Sequence, residues 1–73
     1  MNVINQSVRL TEKIESFETS ECFVSIYKTD LECLGEEIQV LTSVHKNNGK
    51  LLVRFGNPAQ IACIKRTYRV INR

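Results

Sequence analysis

One stretch limits the fold of this chain more than any other. Ile38-Gln39-Val40-Leu41-Thr42-Ser43-Val44-His45-Lys46 is followed by Asn47-Asn48-Gly49 and then Lys50-Leu51-Leu52-Val53-Arg54-Phe55. Ile38, Val40, Thr42 and Val44 lie on one side of an extended chain and Gln39, Leu41, Ser43 and His45 on the other. Such alternation is the signature of a strand with one buried face. Asn-Gly supplies the positive φ angles that a tight hairpin turn demands. With Asn48 and Gly49 as the two loop residues, Val44 faces Val53, Thr42 faces Phe55 and Lys46 faces Leu51. One side of the ribbon is then continuously apolar, so register and pattern agree. A chain built around this hairpin is a sheet protein.

The rest of the sequence leans the same way. It holds seven Val, seven Ile and five Thr against two Ala, and β-branched side chains pack well on a pleated surface but lose freedom in a helix. Cys22 to Tyr27 reads as a strand entered through a turn at Glu18-Thr19-Ser20-Glu21. For Val8 to Phe17, Val8, Leu10 and Ile14 suit a strand, whereas Leu10, Ile14 and Phe17 suit a helix; composition favours the strand. Asp30 to Gly35 reads as a connecting loop or a short helical turn capped by Thr29 and Glu32. The C-terminal segment admits two readings. Asn57-Pro58 is a helix start, and Ile61, Ile64, Tyr68 and Ile71 share a helical face opposite Lys65, Arg66, Arg69 and Arg73. As a strand, Ala62, Ile64, Tyr68 and Val70 share a face that Arg66 interrupts.

Residues 34–71 resemble an SH3-like small β-barrel. Leu34-Gly35-Glu36-Glu37-Ile38-Gln39-Val40-Leu41 is similar to that family's Gly, acid and alternating strand. Asn48-Gly49-Lys50-Leu51-Leu52-Val53-Arg54-Phe55 resembles its distal hairpin return, and Thr67-Tyr68-Arg69-Val70-Ile71 its last turn and strand. The resemblance implies a mainly β single domain over residues 1–73, a five-stranded SH3-like or OB-like barrel with a central hairpin at 38–55. The alternative is an α+β fold with a C-terminal amphipathic helix at 58–71. The aromatic motif and tryptophan of the peptide-binding members are missing, and only Tyr68 has a counterpart among their groove residues. Proline-rich peptide binding is therefore not implied.

Function is read from charge and from size. Residues 1–37 carry three basic and eight acidic side chains; residues 38–73 carry seven basic and none acidic. The candidate binding residues are Lys46, Lys50, Arg54, Lys65, Arg66, Tyr68, Arg69 and Arg73, since an acid-free basic half can meet phosphate or an acidic protein. The competing reading is that the acidic half packs beside the basic half and neutralises it. At 73 residues a single core is thin and leaves little room for a cleft. Cys22, Cys33, Cys63 and His45 lack the paired spacing of a zinc site, and no Gly-rich phosphate loop exists, so no metal, cofactor or catalytic residue is expected. An odd cysteine count and the lack of a basic start leading into an apolar run fit the cytoplasm, and no membrane span is expected. The Asn5-Gln6-Ser7 glycosylation pattern is then a chance match. The expectation is a non-enzymatic binding module, a regulator, subunit or inhibitor docking on a larger protein through a charge-polarised surface, with Tyr27 or Tyr68 as anchor. RNA or DNA binding through the basic half is the alternative, and a homo-oligomer joined at an exposed strand edge or hydrophobic patch is a third reading.

Overall fold

The computed structural model describes residues 8–68. Strands β1 (Leu10–Glu18), β2 (Cys22–Cys33), β3 (Glu36–His45) and β4 (Leu51–Gly56) form one antiparallel sheet in the order β1-β2-β3-β4, followed by helix α1 (Pro58–Lys65). The mainly β expectation holds, but the sheet is open and has four strands, not the five of a closed barrel. Successive hairpins place β1 and β4 at opposite edges with no pairing between them. After β4 the chain turns into α1, which covers one sheet face and so provides the burial that barrel closure would otherwise supply.

The helix reading of the C-terminal segment prevails over 58–65, shorter than the expected 58–71. Thr67 and Tyr68 form a turn, and residues 69–71 of the resembling strand lie outside the described residues. Its start is a complete capping box. The Asn57 side chain accepts from the Gln60 N–H at 2.8 Å, and the Gln60 side chain accepts from the Asn57 N–H at 2.8 Å. Asn57 Nδ2 also donates to Glu36 at 2.9 Å, which ties the helix start to the beginning of β3. Gly56 is buried at this junction, and a Cβ there would stand 2.9 Å from Gln60 Cβ.

Each turn has its own chemistry. Between β1 and β2, the buried Thr19 accepts from the N–H groups of Cys22 and Glu21 at 2.8 and 3.1 Å. Between β2 and β3 the expected loop is instead strand up to Cys33, and a two-residue turn of Leu34 (φ 52°) and Gly35 (φ 79°) closes it. Both residues are left-handed, as a twisted hairpin prefers, although Leu34 is 98% exposed and β-carbon strain disfavours it there. The β3–β4 loop is longer than the expected Asn48-Gly49. His45 N–H donates to Lys50 O at 2.9 Å, Gly49 N–H donates to His45 O at 2.8 Å, and only Gly49 takes a positive φ. The observed pairs are therefore Val44 with Leu51, Thr42 with Val53 and Val40 with Phe55. The register has moved by two residues, and because side chains alternate with period two, the expected apolar face survives intact.

The core lies between sheet and helix. Val24 and Ile26 from β2, Leu41 from β3 and Ile61 from α1 are almost fully buried, with Phe17, Cys22, Ile64 and Tyr68 packed around them. Full burial of each such side chain contributes about 1.5–3 kcal/mol. Gly56→Ala should cost about 1–3 kcal/mol by forcing Gln60 and the helix start away from the sheet. Leu34→Asn should add about 0.5–1 kcal/mol by relieving the left-handed leucine. Urea unfolding of the two variants measures both shifts, and equal stabilities would contradict both assignments.

Candidate binding surface

Strand alternation sorts the side chains into two faces. Directly paired residues share a face, so Val24, Ser43 and Leu52 belong with Ile26, Leu41 and Arg54 on the helix side. The opposite face carries Phe23, Val44 and Leu51 in one row, Ser25, Thr42 and Val53 in the next, and Tyr27, Val40 and Phe55 in a third. No described element covers it. Phe23, Val44, Leu51, Val53 and Phe55 are all exposed, two of them aromatic and more than half accessible. Val40 alone is buried on this side, between the rows' flanking Tyr27 and Phe55. Lys46 Nζ sits 5.0 Å from the Phe23 ring centre and Lys13 Nζ 5.8 Å from that of Tyr27. Together the five exposed side chains present on the order of 400–500 Å² of apolar surface, the size of the largest patch on a typical monomer, which is often a functional one.

The basic residues singled out in the sequence do not converge on one patch. Lys46 and Lys50 stand at the β3–β4 turn, Arg54 lies on edge strand β4 on the helix side, and Lys65 and Arg66 end the helix. Arg69 and Arg73 lie outside the described residues. Acidic β1 meets two of these cations: Glu18 pairs with Lys46, and Glu15 pairs with Lys65 at 2.8 Å. Glu12 approaches Lys28 at 4.0 Å. The partners are partly exposed, so each pair contributes less than about 1 kcal/mol, but the pairs do bring the two oppositely charged halves side by side.

Tyr68 is part of the core rather than an exposed anchor. Its ring meets Phe17 edge-on at 6.2 Å, and its hydroxyl lies 3.3 Å from Ser43 Oγ. Tyr27 is half-buried on the open face. Cys22 stands across from His45 on neighbouring strands, while Cys33 ends β2 and Cys63 lies on the exposed side of α1. His45 is half-buried, not solvent-facing, and its Nδ1 accepts from the Asn47 N–H at 3.4 Å. Among the described residues no three His, Cys, Asp or Glu side chains converge, and no helix is long and apolar enough to cross a membrane. Sequence reasoning named the basic residues and missed Phe23, Val44 and Val53. The signal was present in the alternation of Cys22–Tyr27 and of the hairpin, which leaves two apolar sheet faces for one helix.

No family model, curated protein or solved structure matches this chain. The open face should bind the dye ANS in the native state. Phe23→Ser combined with Val44→Thr should lower the dye fluorescence severalfold while stability stays within about 1 kcal/mol. Undiminished fluorescence in that variant would place the apolar surface elsewhere.

Proposed function

We propose that this chain is a non-enzymatic protein-interaction module, a small regulator, subunit or inhibitor that docks a larger protein against the open face of its sheet. The observation that carries this reading is the row of half-exposed apolar side chains, Phe23, Val44, Leu51, Val53 and Phe55, on a face no described element covers. Affinity at protein interfaces comes from a few aromatic and aliphatic anchors rather than from the whole contact area. Phe23 and Phe55 are suited to that role. Lys13 borders the patch beside Tyr27, and Lys46 beside Phe23 is already paired with Glu18, so the complementary partner surface is an apolar ridge with a carboxylate on the Lys13 side.

A second reading has one observation in its favour. Phe23, Tyr27 and Phe55 share the open face with two lysines above their rings, and single-stranded nucleic acid is held by aromatic stacking beside cations. Against it, Lys46 is engaged by Glu18, and the face is mostly aliphatic along β4.

A photo-reactive phenylalanine analogue in place of Val44 should cross-link a protein in host lysate, and the same analogue in place of the exposed Ala62 should not. Phe23→Glu should abolish the Val44 cross-link by burying a charge against the partner. Fluorescence anisotropy with oligo-dT and oligo-rU at low salt should stay flat. A salt-dependent rise that Phe23→Glu removes would transfer the face to nucleic acid, and equal cross-linking from both positions would end the docking proposal.

A further inference from the structure

The two edges of the sheet are built differently. β1 is guarded, with register slips between Leu10 and Glu12 and between Lys13 and Glu15, and with charges at Glu12, Lys13, Glu15 and Glu18. β4 pairs with β3 without a slip, contains no proline, and carries one charge, Arg54. Leu51, Leu52, Val53 and Phe55 are all exposed on it. A regular, largely apolar edge is a template for another strand, and proteins that stay monomeric normally blunt such an edge.

Hydrogen-bond parity fixes which backbone groups are free. His45 and Lys50 are a bonded pair, since the His45 N–H donates to Lys50 O at 2.9 Å. Bonded and non-bonded pairs alternate along an antiparallel ladder, so Leu52, Arg54 and Gly56 exchange bonds with β3. The N–H and C=O groups of Leu51, Val53 and Phe55 therefore point outward, away from β3.

We infer that β4 pairs antiparallel with β4 of a second copy of this chain, about a two-fold axis through Val53. In that register Val53 meets Val53 of the second copy, Leu51 meets Phe55, and Leu52 meets Arg54. Every outward N–H and C=O of Leu51, Val53 and Phe55 then finds a partner. The apolar side chains of these three residues fall together on the open face, and the Arg54 stem lies against Leu52 on the helix side. No like charges stand directly opposite. A two-fold contact needs a surface complementary to itself, and the open-face side chains of β4, apolar Leu51 and Phe55 on either side of Val53, meet that condition. The thin core gives the pairing a thermodynamic reason: among the described residues five apolar side chains are buried, ten large ones are exposed, and the cysteines are free rather than cross-linked.

Two short strands paired in this way cover less than the ~1,200 Å² of standing complexes, so the dimer is a weak and reversible one. Its main-chain bonds lie at the β4 edge, and although the side chains of Leu51, Val53 and Phe55 belong to the open face as well, Phe23 stands two strands away on β2. Phe23→Glu thus leaves the mass unchanged even where it abolishes partner capture.

Val53→Pro is the discriminating change. It deletes an N–H that faces away from β3, so the internal ladder stays whole. Sedimentation of the full chain from about 1 to about 500 μM should show monomer passing to dimer, and Val53→Pro should remain monomeric while keeping its circular dichroism spectrum. A wild-type monomer at the highest concentration, or a dimer undiminished by Val53→Pro, overturns the inference. Amide exchange of the wild-type chain gives a variant-free check. The Leu51, Val53 and Phe55 amides should exchange severalfold more slowly at the high concentration, and rates independent of concentration overturn the inference equally.

Discussion

The molecule depends on the seating of one helical side chain. Ile61 inserts against Val24, Ile26 and Leu41, and with Ile64 and Tyr68 beside it this contact is the apolar join between helix and sheet, which the Lys65–Glu15 pair and the Asn57–Glu36 hydrogen bond supplement. The join is positioned from the sequence side by three adjacent residues. Gly56 leaves room for Gln60, Asn57 caps the helix and reaches Glu36, and Pro58 starts the helical turn. Because a single eight-residue helix cannot cover both faces of a four-stranded sheet, the contact that organises the core also determines which face is left bare.

Much of this was legible in the residues. The strands at Cys22 and Ile38, the hairpin, the helix start at Asn57-Pro58 and the Ile61-Ile64-Tyr68 face all follow from periodicity and capping. The barrel did not follow: among the described residues the sheet stays open with four strands, and where the chain leaves β4 the Asn57-Pro58 cap starts a helix. The hairpin register slipped because Asn47-Asn48-Gly49 supports either a two-residue or a four-residue loop, and only the backbone bond from Gly49 to His45 distinguishes them. The slip is even, so the same side chains still share a face, but that face, with Phe55 on it, is the open one rather than the buried one expected, and the core takes Leu41 and Ser43 from the other side of β3. The β2–β3 turn escaped notice because leucine is a poor left-handed residue, and nothing in its side chain announces that conformation.

Charge was the less faithful guide. A net count over halves of a sequence says where charges fall along the chain, whereas a meander lays distant segments against each other. β1 brings Glu15 and Glu18 within reach of Lys65 and Lys46, so some of the apparent polarity is spent within the fold. What remains concentrated is acid at the far end of the β2–β3 ribbon. There Glu32 stands opposite Glu37, and β1 and β4 no longer flank the pair. Tyr68 shows the same lesson for anchors, because an amphipathic aromatic near a basic run was equally suited to core or surface until Phe17 and Ser43 were seen to meet it.

The irregular, carboxylate-bearing β1 has a consequence at larger scale. Any strand that joins this sheet can do so only at β4, and a second copy joining there would present its own β1 to solvent at the far side. Under the proposed pairing, lateral addition would stop after one step, and edge chemistry that in a uniform sheet would seed fibres would be confined to a closed pair.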